Sequence, residues 1–251
     1  NSSPNHWAGH RDRTVRTFRW TDTATGKRLG LVQTAEGNLW RIGWESKDGS
    51  IEGCCGHLVV YVDDLMVLGP SHIRQGFLTR LQQEWKVSTP ETVGKDQWTR
   101  FCGFELKWDD DTHLRVAQPS YIEELLERHR VQRSRNTPVA KSDPPEEPEV
   151  ATAEDVRAAQ ALTGELLWLS IRSRPDISYG VGMMGRNTLK NPRWSMNLGV
   201  QLLEFLKGTP TVGLVYGPCD SSHGEADQLS IPRHDRLLEA FSDVSFAPGG
   251  S

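Results

Sequence analysis

Apolar and polar positions along the chain follow two different periods, and the changes between them mark out its elements. Leu39-Trp40-Arg41-Ile42-Gly43-Trp44 reads as a short strand, with a turn expected at Lys47-Asp48-Gly49. Residues 56–69, GHLVVYVDDLMVLG, hold two strand-like runs on either side of a tight connection. They predict a β-hairpin with Asp63 and Asp64 at or near its tip. Ile73, Phe77, Leu81 and Trp85 then recur every four residues along one face of a helix that starts at Ser71. Thr99 to Leu106 and Leu114 to Ala117 predict a second hairpin, turning through the solvated triplet Asp109-Asp110-Asp111.

The second half of the chain is dominated by the helical period. Ser120 and Glu123 have the spacing of a capping box, opening a helix whose apolar stripe is Ile122, Leu125, Leu126 and His129. His129 on that stripe reads as a core histidine. Arg128, Arg130, Arg133 and Arg135 crowd the helix end, where cations offset the negative terminus and could equally meet phosphates. Pro138 to Val150, rich in proline and acid, predicts an extended linker. Thr152, with Asp155 as its reciprocal partner, caps a helix running to about Leu169, and Ser173-Arg174-Pro175-Asp176 breaks it. A further helix carries Trp194, Leu198, Leu202 and Phe205 and stops at Gly208, followed by a short strand at Leu214-Val215-Tyr216. Residues 217–236 are polar and loop-like, and 238–247 begin a last strand containing Asp243.

Composition adds limits. At 251 residues and 36% hydrophobic, the chain can build one large core or two small ones. A net charge of -4 gives no overall attraction for polyanions, so nucleic-acid binding would need local basic patches. Arg11, Arg13, Arg16, Arg19, Lys27, Arg28 and Arg41 lie among Trp7, Phe18, Trp20 and Trp40, a mixture suited to backbone and base contacts. A solvated face beside a small core explains the same residues without a partner and is preferred. Cys54, Cys55, Cys102 and Cys219 include no CxxC pair, which fits reduced thiols better than a zinc site or a disulfide framework. No run is long enough for a membrane helix. The polar N-terminus without an initiating methionine leads us to expect a piece of a longer chain.

The paired aspartates carry the chemistry. Aspartate is a favoured turn residue, and two in a hairpin loop need no function. Strands this apolar, however, belong to a sheet buried on at least one face, where uncompensated carboxylates are costly. Divalent cations remove that cost, and clustered carboxylates can hold two Mg²⁺ ions about 3.5–4 Å apart for in-line phosphoryl transfer. Tyr61-Val62-Asp63-Asp64 resembles the active-site hairpin of reverse transcriptases of the Ty1/copia class of retrotransposons. The resemblance continues in order through Phe101-Cys102-Gly103-Phe104-Glu105-Leu106, Gln118-Pro119-Ser120-Tyr121-Ile122 and Asn136-Thr137-Pro138. It then runs through Thr163 to Leu169, Arg174-Pro175-Asp176-Ile177, Phe205-Leu206-Lys207-Gly208-Thr209 and Phe241 to Ala247.

The resemblance implies an RNA-directed DNA polymerase, using Mg²⁺ or else Mn²⁺, dNTPs and an RNA or DNA template with primer. Asp63 and Asp64 become metal-holding carboxylates, and Tyr61 lines the floor near the incoming nucleotide or primer end. Gly103 lies in the strand supporting the primer terminus, and Asp243 is the first carboxylate of a ribonuclease H cluster. Read from the residues themselves, Arg128, Arg130 and Arg133 are the candidates to meet nucleic acid, with offsetting the helix terminus as the preferred reading. The implied fold is α+β: a partial palm over 1–118, a thumb helix over 119–137, the acidic linker over 138–151, a mostly helical connection over 152–236, and a first ribonuclease H strand over 237–251. The implied setting is intracellular, in cytoplasmic particles or the nucleus, with the upstream and downstream parts of a Pol polyprotein as partners and no membrane.

That family needs a further aspartate from an earlier palm strand. Upstream of the hairpin stand only Asp12, Asp22 and Asp48, all in polar, turn-like surroundings. The isolated chain is therefore expected to be catalytically silent or nearly so. The main alternative is a non-catalytic remnant that holds nucleic acid without extending it. A third class is an unrelated interaction domain in which the two aspartates merely turn a hairpin.

Overall fold

A computed structural model describes residues 4–139 and 143–217. The chain mixes helices with two antiparallel sheets. The first sheet is a meander of β1 (Arg19–Thr21), β2 (Arg28–Gln33), β3 (Leu39–Glu45), β4 (Ile51–Tyr61) and β5 (Asp64–Leu68), each strand paired with the next. Alternation places Leu29 and Leu31, Trp40 and Ile42, and Leu58 and Val60 on one buried face. Two helices supply the rest of that core. Val15 comes from α1 (Pro4–Thr17), and Ile73, Phe77 and Leu81 from α2 (Ser71–Glu84), on the stripe the sequence predicts. Phe18 and Trp20 pack against Phe77, with ring centroids 6.2 and 5.8 Å away. An added Cβ at Gly76 would lie 2.6 Å from Trp20 Cδ1, so the helix packs this close to the indole only with glycine there.

The basic and aromatic residues of the first forty-odd positions mostly serve this layer. Phe18, Trp20 and Trp40 are buried, Arg19 and Arg28 share Glu45 at 2.8 and 3.0 Å, and Arg11 is only 5% exposed.

The second sheet is ordered β6 (Thr99–Phe101), β7 (Phe104–Trp108), β8 (Leu114–Ala117) and β9 (Leu214–Tyr216). Here the structure corrects the sequence expectation: Thr99 to Leu106 is not one strand but a hairpin of its own, turning at Cys102 and Gly103 with φ of +54° and +78°. Apolar Phe101 and Phe104 flank the turn on both sides, so a single glycine is the only turn residue that marks the break. The acidic triplet is a turn as expected, with the Asp110 carboxylate accepting from the Thr112 and His113 amides at 2.7 Å.

Four helices form the second core: α3 (Pro119–Arg128), α4 (Ala153–Ser170), α5 (Ser178–Asn187) and α6 (Pro192–Gly208). Ile122, Leu125, Leu162, Leu166, Met184, Leu202 and Leu206 meet there. The helices on both sides of the acidic, proline-rich stretch thus share one core. The stretch itself has no helix or strand among its described residues, and Glu149 accepts from the amides of Arg193 and Trp194 at the start of α6, at 2.8 and 3.1 Å. The Thr152 capping box is present, with Asp155 N–H donating to Thr152 Oγ1 at 3.1 Å and Thr152 N–H to Asp155 at 2.8 Å.

The box expected at Ser120 and Glu123 is not. Pro119 opens the helix, which puts Ser120 inside the first turn, and the carboxylate of Glu105 on β7 accepts from its amide at 3.0 Å and its hydroxyl at 3.1 Å. His129 is half-buried, with Nε2 2.6 Å from Glu165. Among the described residues no helix is long and apolar enough to cross a membrane.

Candidate functional site

Strands β4 and β5 pair Val59 with Met66, Val60 with Leu65 and Tyr61 with Asp64, leaving Val62-Asp63 as the two-residue turn. Val62 has φ +51°, a left-handed conformation that a β-branched residue seldom takes. Something must hold it there. Arg11 Nη1 on α1 donates to the Val62 carbonyl at 2.8 Å, while its Nε and Nη2 reach Asp12 at 2.9 and 2.8 Å. Asp12 in turn accepts from Gln33 on β2 at 3.3 Å. A buried guanidinium therefore braces the turn that bears the aspartates.

Tyr61, Asp63 and Asp64 are all exposed at this tip. From sequence, strands this apolar predict carboxylates in a buried sheet, with a desolvation cost to be met. The strands are buried on one face, but the tip projects into solvent, so no such cost arises. Whether these residues suit a pair of divalent ions is decided by the donor set. Among the described residues no three of His, Cys, Asp and Glu converge. Asp12 is engaged by Arg11 and Gln33. Asp22 is 1% exposed and held by Thr25, the Ala24 amide and His72. Asp48 sits in an exposed turn, its carboxyl lowered to about 2 by hydrogen bonds from Ser46 and Ser50. Asp63 and Asp64 by themselves do not complete a two-metal site.

Beside the tip lies a cleft of about 480 Å³ lined by Asp64 and by the Cys102-Gly103 turn. Burial pushes the Cys102 thiol up to about 11, assisted by the neighbouring Asp64 charge and opposed by Arg172. Gln118, itself buried, donates to the Gly103 carbonyl at 3.1 Å and accepts from Ser173 at 2.8 Å, tying the turn to the end of α4. Trp168 of α4 completes the wall near Gly103.

The structure thus brings Asp64, its cross-strand neighbour Tyr61, Asp63 and Gly103 to one region. The basic cluster is elsewhere on the chain's path and does not line the cleft. Arg128 is paired with Glu124 and Glu165, whereas Arg130 and Arg133 are exposed and make no ion pair among the described residues. Asp243 lies outside the described residues, as do the polar stretch after residue 217 and the last expected strand. The roles of Arg11, Gln118 and Trp168 at this site, and Arg172 altogether, are not legible from the sequence. The spacing of Trp168 and Arg172, one helical turn apart, was the one available signal among them.

Comparison with known proteins finds similarity to transposon proteins. The chain is 27% identical over 218 residues to the transposon Ty5-1 protein of Saccharomyces cerevisiae, an alignment covering 82% of this chain and 67% of that protein. It is 27% identical over 175 residues to the retrovirus-related Pol polyprotein from transposon TNT 1-94 of Nicotiana tabacum, covering 65% of this chain. It is also 27% identical over 161 residues to the Pol polyprotein from transposon RE1 of Arabidopsis thaliana, covering 63% of this chain. The matches take in only 13% and 10% of the two plant polyproteins. No protein-family model matches the chain, and no solved structure matches it. These similarities support an origin in a retrotransposon Pol polyprotein.

Proposed function

We propose that this chain is a segment of a Ty1/copia-type reverse transcriptase, an α+β partial palm with a thumb helix and a connection region, acting on an RNA or DNA template with primer and dNTPs. One observation carries this: a braced, strained turn sets Asp63 and Asp64 at an exposed hairpin tip, beside a cleft lined by both Asp64 and Gly103. Strain kept in place by a buried partner is a mark of functional loops. Bound Mg²⁺ or Mn²⁺ would supply activation of the 3′-hydroxyl and stabilisation of the leaving pyrophosphate. The described residues provide two of the carboxylates such ions need, so the remainder must come from elsewhere.

Primer extension on poly(rA)–oligo(dT) with Mg²⁺ tests the proposal, together with fluorescence anisotropy of the same duplex. The isolated, folded chain is expected to bind template–primer with salt-dependent affinity and not to extend it. Extension that persists in Asp63→Asn would remove the active-site assignment. A folded chain with no affinity for template–primer would remove the proposal as a whole.

The second reading, a non-catalytic nucleic-acid-binding remnant, is favoured by one specific observation: no third carboxylate converges on the pair among the described residues. Exposed Arg130 and Arg133 would suffice for weak, salt-sensitive binding. It is distinguished by duplex binding that ignores the recessed primer end.

A further inference from the structure

We infer that Trp168, braced by Arg172, is a stacking platform for a nucleobase in the cleft beside Asp64, namely the base at the primer 3′ end. The inference rests on the polymerase function proposed above and assigns to it Trp168 of α4 and Arg172 just beyond the helix end. Leu166 and Leu169 of the same helix are fully buried, whereas Trp168 is 38% exposed and lines the cleft. Tryptophan is enriched where one face of a ring is buried and the other meets a partner, and here the exposed indole faces a cleft rather than open surface.

The ring is also held in place. The Arg172 guanidinium lies 3.7 Å from the Trp168 centroid and 5.3 Å from that of Phe104 on β7, so it bridges the helix to the second sheet. A base stacking on this indole would not have to order it first. Arg172 makes no ion pair among the described residues, which leaves its charge for a phosphate.

The cleft suits such an occupant. Its volume of about 480 Å³ falls within the range of about 300–1,000 Å³ common to small-ligand sites. Two of the acids on its walls are already satisfied, Glu105 by Ser120 and Glu124 by Arg128. Asp64 lines the same cleft as Trp168, so a base stacked on the indole lies in the cavity that also holds this carboxylate. At Gly103 an added Cβ would be 3.7 Å from Trp168 Cζ2, so the turn runs directly under the indole edge.

A template–primer carrying 5-iododeoxyuridine, either at the primer 3′ end or internally, provides the test. After irradiation the 3′-terminal probe is expected to crosslink to the peptide containing Trp168, and the internal probe is not. Trp168→Leu should weaken binding of the recessed-end duplex roughly five- to hundredfold, with Trp168→Phe retaining most of the affinity. The slope of affinity against salt should stay the same in both, because no phosphate contact is removed. Thermal melting confirms that each variant folds. Unchanged affinity in folded Trp168→Leu, or a crosslink confined to other peptides while the duplex still binds, overturns this inference and leaves the proposed function standing. A wild-type chain that binds no duplex overturns both.

Discussion

Arg11 shows how one side chain can decide a site it never enters. Its guanidinium satisfies the carbonyl of a residue in left-handed backbone, and its neighbour Asp12 links that contact to β2. Arg11→Met removes a charge-assisted bond to the Val62 carbonyl. It should cost about 2 kcal/mol in chemical denaturation and loosen the hairpin tip first, seen as faster amide exchange at Val62 and Asp63. Cys102 reports on the other side of the cleft. With its thiol raised to about 11, it should react with iodoacetamide far more slowly at neutral pH than the exposed Cys54. Because the Asp64 charge helps raise that value, Asp64→Asn should lower it and speed labelling of Cys102 at fixed pH. Unaltered labelling would mean that the hairpin tip and the Cys102-Gly103 turn are not neighbours in solution.

Elements were legible where one period ran unbroken. The hairpin at residues 56–69, α2, α6 and the capped start of α4 follow from spacing alone, because each buries one clear face. Those missed had their signal hidden. In α5 the glycines at 180, 182 and 185 mask a helix, yet Gly180 is what allows α6 to approach, since a Cβ there would come within 2.9 Å of Leu202. The cap of α3 comes from Glu105, distant in sequence, where spacing pointed to Glu123. This difference can be measured. Glu105→Ala should destabilise the protein by roughly 1–3 kcal/mol by stripping a buried acceptor from the helix start, while exposed Glu123→Ala should change stability by less than about 0.5 kcal/mol. Thr152→Ala should cost about 1 kcal/mol.

At the scale of the whole molecule, two separate cores meet the site from different sides. The aspartates belong to a hairpin built on the first core, and Trp168 to a helix of the second. Half of the site was therefore readable as a local motif. The other half depends on tertiary placement that no spacing encodes. The acid response also belongs to this scale. The carboxyls of Asp155, Asp109 and Asp48 lie below their ordinary values because hydrogen bonds favour the charged form: from Thr152 to Asp155, from Arg115 to Asp109, and from Ser46 and Ser50 to Asp48. Groups with depressed folded-state values stabilise above the unfolded value near 4 and lose that contribution as pH falls through the folded value. Denaturation midpoints should be flat from about pH 7 to pH 5 and decline below about pH 4.

Strand β9 joins β8 only after all of α3 to α6 has intervened in sequence. During synthesis at about 5–20 residues per second, Leu114 to Ala117 would emerge some seconds before Leu214 could cover them. For that interval a nascent chain presents a bare strand edge, a template for pairing with any neighbouring copy on the same polysome. A messenger translated by closely spaced ribosomes would thus set the hazard, and slower initiation should raise the yield of correctly folded protein.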